Sequence, residues 1–205
     1  MADMGVFRAA VSGWAAGGCG AAAREAAAAA GVRTVVLVKG PSDLAAVETL
    51  AARLGRALPD EGVCVLSMGG AMNVGRYAEL LGPPGLGLRV TGLCDARERP
   101  FYDRALARAG APGQEVFVCV EDLEEELIRA LGVAGVEAIV EAEGELAPWR
   151  TFTRQPAQQG RDPLRQMRRF LGTRKGRKIR YGHLLARSVD LGRVPAPLGA
   201  LLACL

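Results

Sequence analysis

Histidine is nearly missing from this chain: His183 is the single one among 205 residues, which excludes a metal centre built from several imidazoles. Aromatic residues make up only 5% of the sequence, so Ala, Gly, Val and Leu must supply the core. None of the five cysteines (Cys19, Cys64, Cys94, Cys119, Cys204) forms a CxxC pair, and three lie in apolar runs where a thiol acts as a small hydrophobe. That pattern argues against structural zinc and against a disulfide framework, and it sets a reducing, cytoplasmic compartment as the expectation. There is no Walker A sequence: Gly172-Thr-Arg-Lys-Gly-Arg-Lys178 has the wrong spacing and no Ser or Thr after its lysine. No apolar run reaches the ~20 residues of a spanning helix, and Met1–Trp14 lacks the apolar core of a signal peptide, so no membrane association is expected.

A chain of this length fits one domain, or one domain with a short appendage, and buries roughly 70% of its unfolded surface. Its net charge is only +4, but the signs are unevenly placed. From Trp149 to Arg193 there are 13 Lys/Arg against two Asp, so the rest of the chain is acidic. Two readings are open: a basic surface that meets phosphates, or a basic helix face docked on the acidic body.

Residues 6–30 are Ala-rich and predict two short helices split at Gly17–Gly20. Four unbroken apolar runs then alternate with helical segments: Thr34–Val38, Val63–Ser67, Arg89–Cys94 and Glu115–Val120, with helices near 42–55, 72–81 and 100–109. Strands apolar on both faces belong to a parallel sheet covered by helices. Residues 151–161 read as a polar loop, 163–171 and 178–190 as basic helices, and the last residues as an apolar tail. The expected organisation is a helical extension over 1–31, an α/β domain over 32–146, and a basic, mostly helical arm over 147–205 packed on it.

Right-handed crossovers place every strand's carboxyl end on one edge, where open α/β sheets bind ligands. That edge collects Lys39, Gly69-Gly70, Asp95 and Glu121-Asp122-Leu123-Glu124. Five of the six residues 121–126 are acidic. Helix capping accounts for one or two of them, and a hard divalent cation would relieve the repulsion among the rest. Asp95 and Asp43 are open to the same two readings. The basic residues Arg165, Arg168, Arg169, Arg174, Lys175, Arg177, Lys178 and Arg180 are the candidates for nucleic-acid phosphates.

Val35-Val-Leu-Val-Lys-Gly-Pro-Ser-Asp-Leu44 resembles the first motif of Toprim domains, in which a strand ends in Glu-Gly and Ser-Asp opens a helix. Gly92-Leu-Cys-Asp95 resembles the strand that delivers the family's metal-binding Asp. The segment from Asp122 to Gly132 resembles the acidic third motif of overcoming-lysogenization-defect (OLD) family nucleases, and Gly176-Arg-Lys-Ile-Arg180 the lysine-bearing segment beyond it. The resemblance spans about 32–190. It implies a Rossmann-like Toprim fold with a mainly parallel sheet of about four strands, helical additions at both ends, and Mg²⁺- or Mn²⁺-dependent phosphoryl chemistry on DNA. It would make Asp43, Asp95, Asp122 and Glu124 metal carboxylates, with Asp95, Glu124 and Lys178 catalytic. DNA, a separately encoded ATPase and a second copy of the chain are the partners it suggests. Two positions depart from the pattern: Lys39 stands where the family motif has Glu, and Arg97 where a second Asp often follows. At ~4 Å and an effective dielectric of ~20, each unit-charge pair is worth ~4 kcal/mol, enough for an ammonium to abolish a weak metal site. Two functions therefore stand: a Toprim-type DNA nuclease, impaired by Lys39, or a silent module that binds nucleic acid or docks a partner.

Overall fold

A computed structural model describes residues 3–111, 113–174 and 176–205. The apolar runs form β1 (Thr34–Val38), β2 (Val63–Ser67), β3 (Arg89–Asp95) and β4 (Val116–Cys119), each within a residue of its expected bounds. All pairings are parallel and the strand order is β2-β1-β3-β4. Pairing in parallel requires crossovers, and these are α3 (Pro41–Arg53) after β1, α4 (Val74–Leu81) after β2 and α5 (Arg99–Arg108) after β3.

The pleat divides β1 between two cores. Val36 and Val38 face a layer with α3 and the C-terminal helices, while Val35 and Leu37 face α4, α5 and the N-terminal helices α1 (Met4–Ala15) and α2 (Ala21–Ala29). Helix α6 (Leu123–Ala142) follows β4 and kinks at Gly132, whose φ of 72° lies in the left-handed region. Then come α7 (Leu146–Thr153), α8 (Pro163–Leu171), α9 (Arg177–Ser188) and α10 (Ala196–Cys204). Trp149 and Phe152 from α7 pack with Phe170 from α8, ring centroids 5.2 and 5.6 Å from Phe170, inside the same core that covers the sheet.

Two expectations change. Residues 151–153 complete α7 and 156–158 form a 3₁₀ turn, so the polar loop is shorter than its composition suggests. The apolar tail is a helix, α10, whose buried Leu198, Leu201 and Leu202 lie at i, i+3 and i+4, and it packs beside β4 and β3. No described helix is long and apolar enough to cross a membrane.

Candidate functional site

In the order β2-β1-β3-β4 the chain leaves β1 in one direction and returns past it to β3, so the carboxyl ends of β1 and β3 flank the topological switch point. Val38 is level with Leu93. Lys39 therefore leaves β1 beside Cys94, one residue short of Asp95. On the far side, Asp95 is level with Cys119, and the acidic segment begins two residues later. A fourth wall comes from α9, which crosses α3 closely at Gly182. A Cβ there would stand 2.5 Å from the Ser42 carbonyl oxygen, and this close approach brings Lys178 over the start of α3.

These elements enclose a cavity of ≈ 200 Å³ lined by Lys39, Asp43, Asp95, Asp122, Glu124 and Lys178, among others. The four carboxylates expected to meet do meet, with one lysine at each end. Asp122, Glu124 and Lys178 also line a neighbouring groove of ≈ 710 Å³, whose other wall carries Arg97, Arg161, Arg165, Arg168 and Arg169.

Each carboxylate has a definite partner. Lys39 Nζ donates to Asp95 Oδ2 at 2.6 Å and lies 2.7 Å from Glu98 Oε1, while the backbone N–H of Asp95 donates to Glu98 Oε2 at 3.2 Å. Burial works against the charge on Lys39, but these two carboxylates outweigh it and raise the ammonium's pKa. Burial raises the Asp95 pKa, and the Lys39 hydrogen bond partly offsets this. Asp95 does not cap α5, so the capping reading for it falls. Asp43 does cap: its Oδ2 accepts the Gly40 N–H at 3.0 Å, and burial pushes its pKa up to about 6.

The acidic cluster is largely accounted for by local bonds. Asp122 caps α6 through the Glu125 N–H at 2.9 Å and takes Arg168 at 2.7 Å. Glu125 binds Arg129 at 2.8 Å, and Glu126 accepts the Val120 N–H at 3.0 Å. Glu124 is the exception. It is 4% exposed, its Oε2 lies 3.0 Å from Lys178 Nζ, and its Oε1 is buried with no hydrogen-bond partner. Burial pushes its pKa up to about 7, against the pull of Lys178. An orphaned carboxylate oxygen is costly, so this is where the site is incomplete.

The basic candidates divide. Arg165, Arg168, Arg169 and Lys178 line the groove, but Arg177 does not. It is 5% exposed, donates to Glu145 at 2.8 Å, to the Phe170 carbonyl at 3.0 Å and to Thr173 Oγ1 at 2.7 Å, and lies over the Phe170 ring. Arg177 is therefore a structural residue rather than a phosphate ligand. Arg174 lies 3.9 Å from the same Glu145, and Arg180 pairs with Glu143, so both turn away from the groove. Lys175 lies outside the described residues. His183 is exposed, with Nδ1 2.7 Å from Thr49 Oγ1, and lines neither the cavity nor the groove, while burial pushes the Cys94 thiol up to about 12 and holds it protonated. Glu98 and Arg161 are additions, and Arg97, singled out in the sequence as a departure from the family pattern, lines the groove. Glu98 sits at i+3 from Asp95, a spacing that reads as an ordinary helix start until Lys39 is placed between the two.

Among the described residues, no three His, Cys, Asp or Glu side chains form a ready-made metal cluster. Mg²⁺ often takes only one or two protein carboxylates and completes its shell with water and phosphate oxygens. The Asp43–Glu124 end fits that demand, with hard oxygen donors and one orphaned atom. The Asp95 end does not, because the Lys39 ammonium already holds both of its carboxylates.

The family described as "Overcoming lysogenization defect protein-like, TOPRIM domain" matches residues 32–96. Among solved structures, the C-terminal region of the Burkholderia pseudomallei OLD protein aligns with TM-score 0.61 at 23% identity, over 84% of this chain and 96% of that one. The C-terminal region of the Xanthomonas campestris pv. campestris OLD protein aligns in two determinations, with TM-scores of 0.60 and 0.59 at 26% and 27% identity, each over 84% of this chain and 93% of that one. No curated protein matches the chain.

Proposed function

We propose that the protein, whose residues 32–96 match the OLD-like Toprim family, is a Toprim-type nuclease module that acts on DNA phosphodiesters with a single Mg²⁺ or Mn²⁺ ion. One observation carries the reading. The carboxylate cavity opens through Asp122, Glu124 and Lys178 into the arginine-lined groove, so a backbone held in the groove brings a phosphate to the cavity mouth.

Asp43 and Glu124 are the residues that would hold the ion. When bound, such an ion supplies positive charge to a phosphoryl oxygen and lowers the pKa of an attacking water. The remaining tasks belong to the chain. Arg165, Arg168 and Arg169 neutralise neighbouring phosphates and fix the register of the strand, as backbone contacts do without reading sequence. Lys178 stands between Glu124 and the groove, placed to donate to a non-bridging oxygen as charge builds there. Asp95 contributes by anchoring Lys39 rather than as an ion ligand.

Nicking of supercoiled DNA with Mn²⁺ tests this. Wild type is expected to nick, and Glu124→Gln and Asp43→Asn to lose nicking while still binding DNA. Nicking that survives both substitutions, or that wild type never shows with any divalent ion, overturns the reading. A second reading is favoured by the Lys39 clamp on Asp95 and Glu98, which neutralises half of the cavity. There the protein binds DNA without cutting it, and cleavage emerges only in Lys39→Glu.

A further inference from the structure

We propose that the Lys39 ammonium is a built-in substitute for a second divalent cation, held by Asp95 and Glu98, and that it limits the protein to one divalent ion. The claim extends the single-ion reading above but concerns the opposite end of the cavity, where no ion is needed to account for any contact.

The geometry is that of a cation site with its cation supplied by the chain. The Nζ atom lies 2.6 Å from Asp95 Oδ2 and 2.7 Å from Glu98 Oε1. Glu98 is held by the ammonium through one oxygen and by the Asp95 N–H through the other, so it cannot swing away to take solvent partners. Both carboxylates are largely shielded, with side chains 18% and 15% exposed, so a missing counter-charge there would be costly. The position is the crevice between the ends of β1 and β3, where the fold concentrates ligand chemistry. Arg97, two residues past Asp95, faces the larger groove and adds a further positive charge nearby, which also disfavours an incoming ion. An ammonium supplies one charge to two carboxylates. Removing it leaves two negative charges and an unfilled position between oxygens, the condition a hard divalent ion satisfies. Repulsion between a divalent ion and an ammonium a few Å away amounts to roughly a hundredfold or more in affinity, so both cannot occupy the position together.

Mn²⁺ titration followed by electron paramagnetic resonance counts the sites directly, without DNA or turnover. Wild type is expected to bind one ion, lost in Glu124→Gln. Lys39→Met and Lys39→Gln are each expected to bind one more, and the added site to vanish when Glu98→Gln is combined with either. Thermal melting checks that each variant is folded, and the two replacements differ in polarity so that one folding defect does not decide the result. Equal ion counts in wild type and in both folded Lys39 variants overturn the inference, as does an added site indifferent to Glu98→Gln. Wild type that binds no ion, together with Lys39 variants that gain one dependent on Glu98, removes the single-ion reading while leaving this one standing.

Discussion

At one end of the cavity two carboxylates, Asp95 and Glu98, share the Lys39 ammonium, and Glu98 uses its second oxygen on a backbone N–H. At the other end Glu124 has Lys178 on one oxygen and nothing on the other. Both ends pair shielded carboxylates with a lysine, yet only the Glu124 end leaves a buried carboxylate oxygen without a partner. A third carboxylate, at the start of α7 and bound by two neighbours of Lys178 on α9, sharpens the contrast. Glu145 receives Arg177 on one oxygen and the Tyr181 hydroxyl on the other, and is satisfied throughout. Buried charges that stabilise a fold are fully paired. One that is left half-paired beside an open groove marks where a ligand belongs.

The comparison breaks first on activity. Glu124→Gln should reduce Mn²⁺-dependent nicking by roughly a hundredfold or more, since the ion's charge stabilisation is worth several kcal/mol, while Glu98→Gln should leave it near wild type; equal losses would erase the distinction between the two ends. Next in size is stability. Arg177→Ala leaves Glu145 shielded and short of its main partner and should cost about 3 kcal/mol in denaturant unfolding, with no change in the salt dependence of DNA binding.

The pH dependence of stability follows from Glu124. Its carboxyl pKa rises from 4.5 to about 7 on folding, so the folded state holds the proton more tightly than the unfolded state. Stability therefore falls as pH climbs through that window, by at most about 3 kcal/mol, and is highest below it. Asp43, raised from 3.8 to about 6, adds a fall in the same direction at lower pH. In Glu124→Gln the decline between pH 6 and 7 should flatten, as measured by denaturant midpoints across pH. Smallest is the groove itself. Each of Arg165→Ala and Arg169→Ala should lower the salt slope of DNA binding by about 0.9, whereas Arg180→Ala should leave it unchanged.

Much of this was legible in the order of residues. β1 and β2 are read to the residue because runs such as Thr34-Val-Val-Leu-Val38 and Val63-Cys-Val-Leu-Ser67 admit no other burial than both faces of a parallel sheet. The meeting of Asp43, Asp95, Asp122 and Glu124 follows from the same rule, since parallel strands end on one edge. What escaped was the partner of each charge. Arg177 and Lys178 are neighbours in a basic run, and a single step of about 100° around α9 sends one into the core and the other to the groove. Glu98 was invisible because its role depends on Lys39, 59 positions earlier and reachable only through the sheet register. The acidic run 121–126 looked like one feature, yet its members go to a cap, a strand-end N–H, contacts with Arg129 and Arg168 and, for Glu124 alone, a buried oxygen left without a partner.

The cavity presents an unpartnered carboxylate oxygen at its Asp43–Glu124 end and an ammonium of the chain's own between Asp95 and Glu98. Anomalous scattering from Mn²⁺-soaked crystals, collected at the manganese edge, reads this without any assay. One peak beside Asp43 and Glu124, with none between Asp95 and Glu98, is the predicted result. A peak between Asp95 and Glu98 with Lys39 displaced, or an empty Asp43–Glu124 end at saturating Mn²⁺, would contradict it.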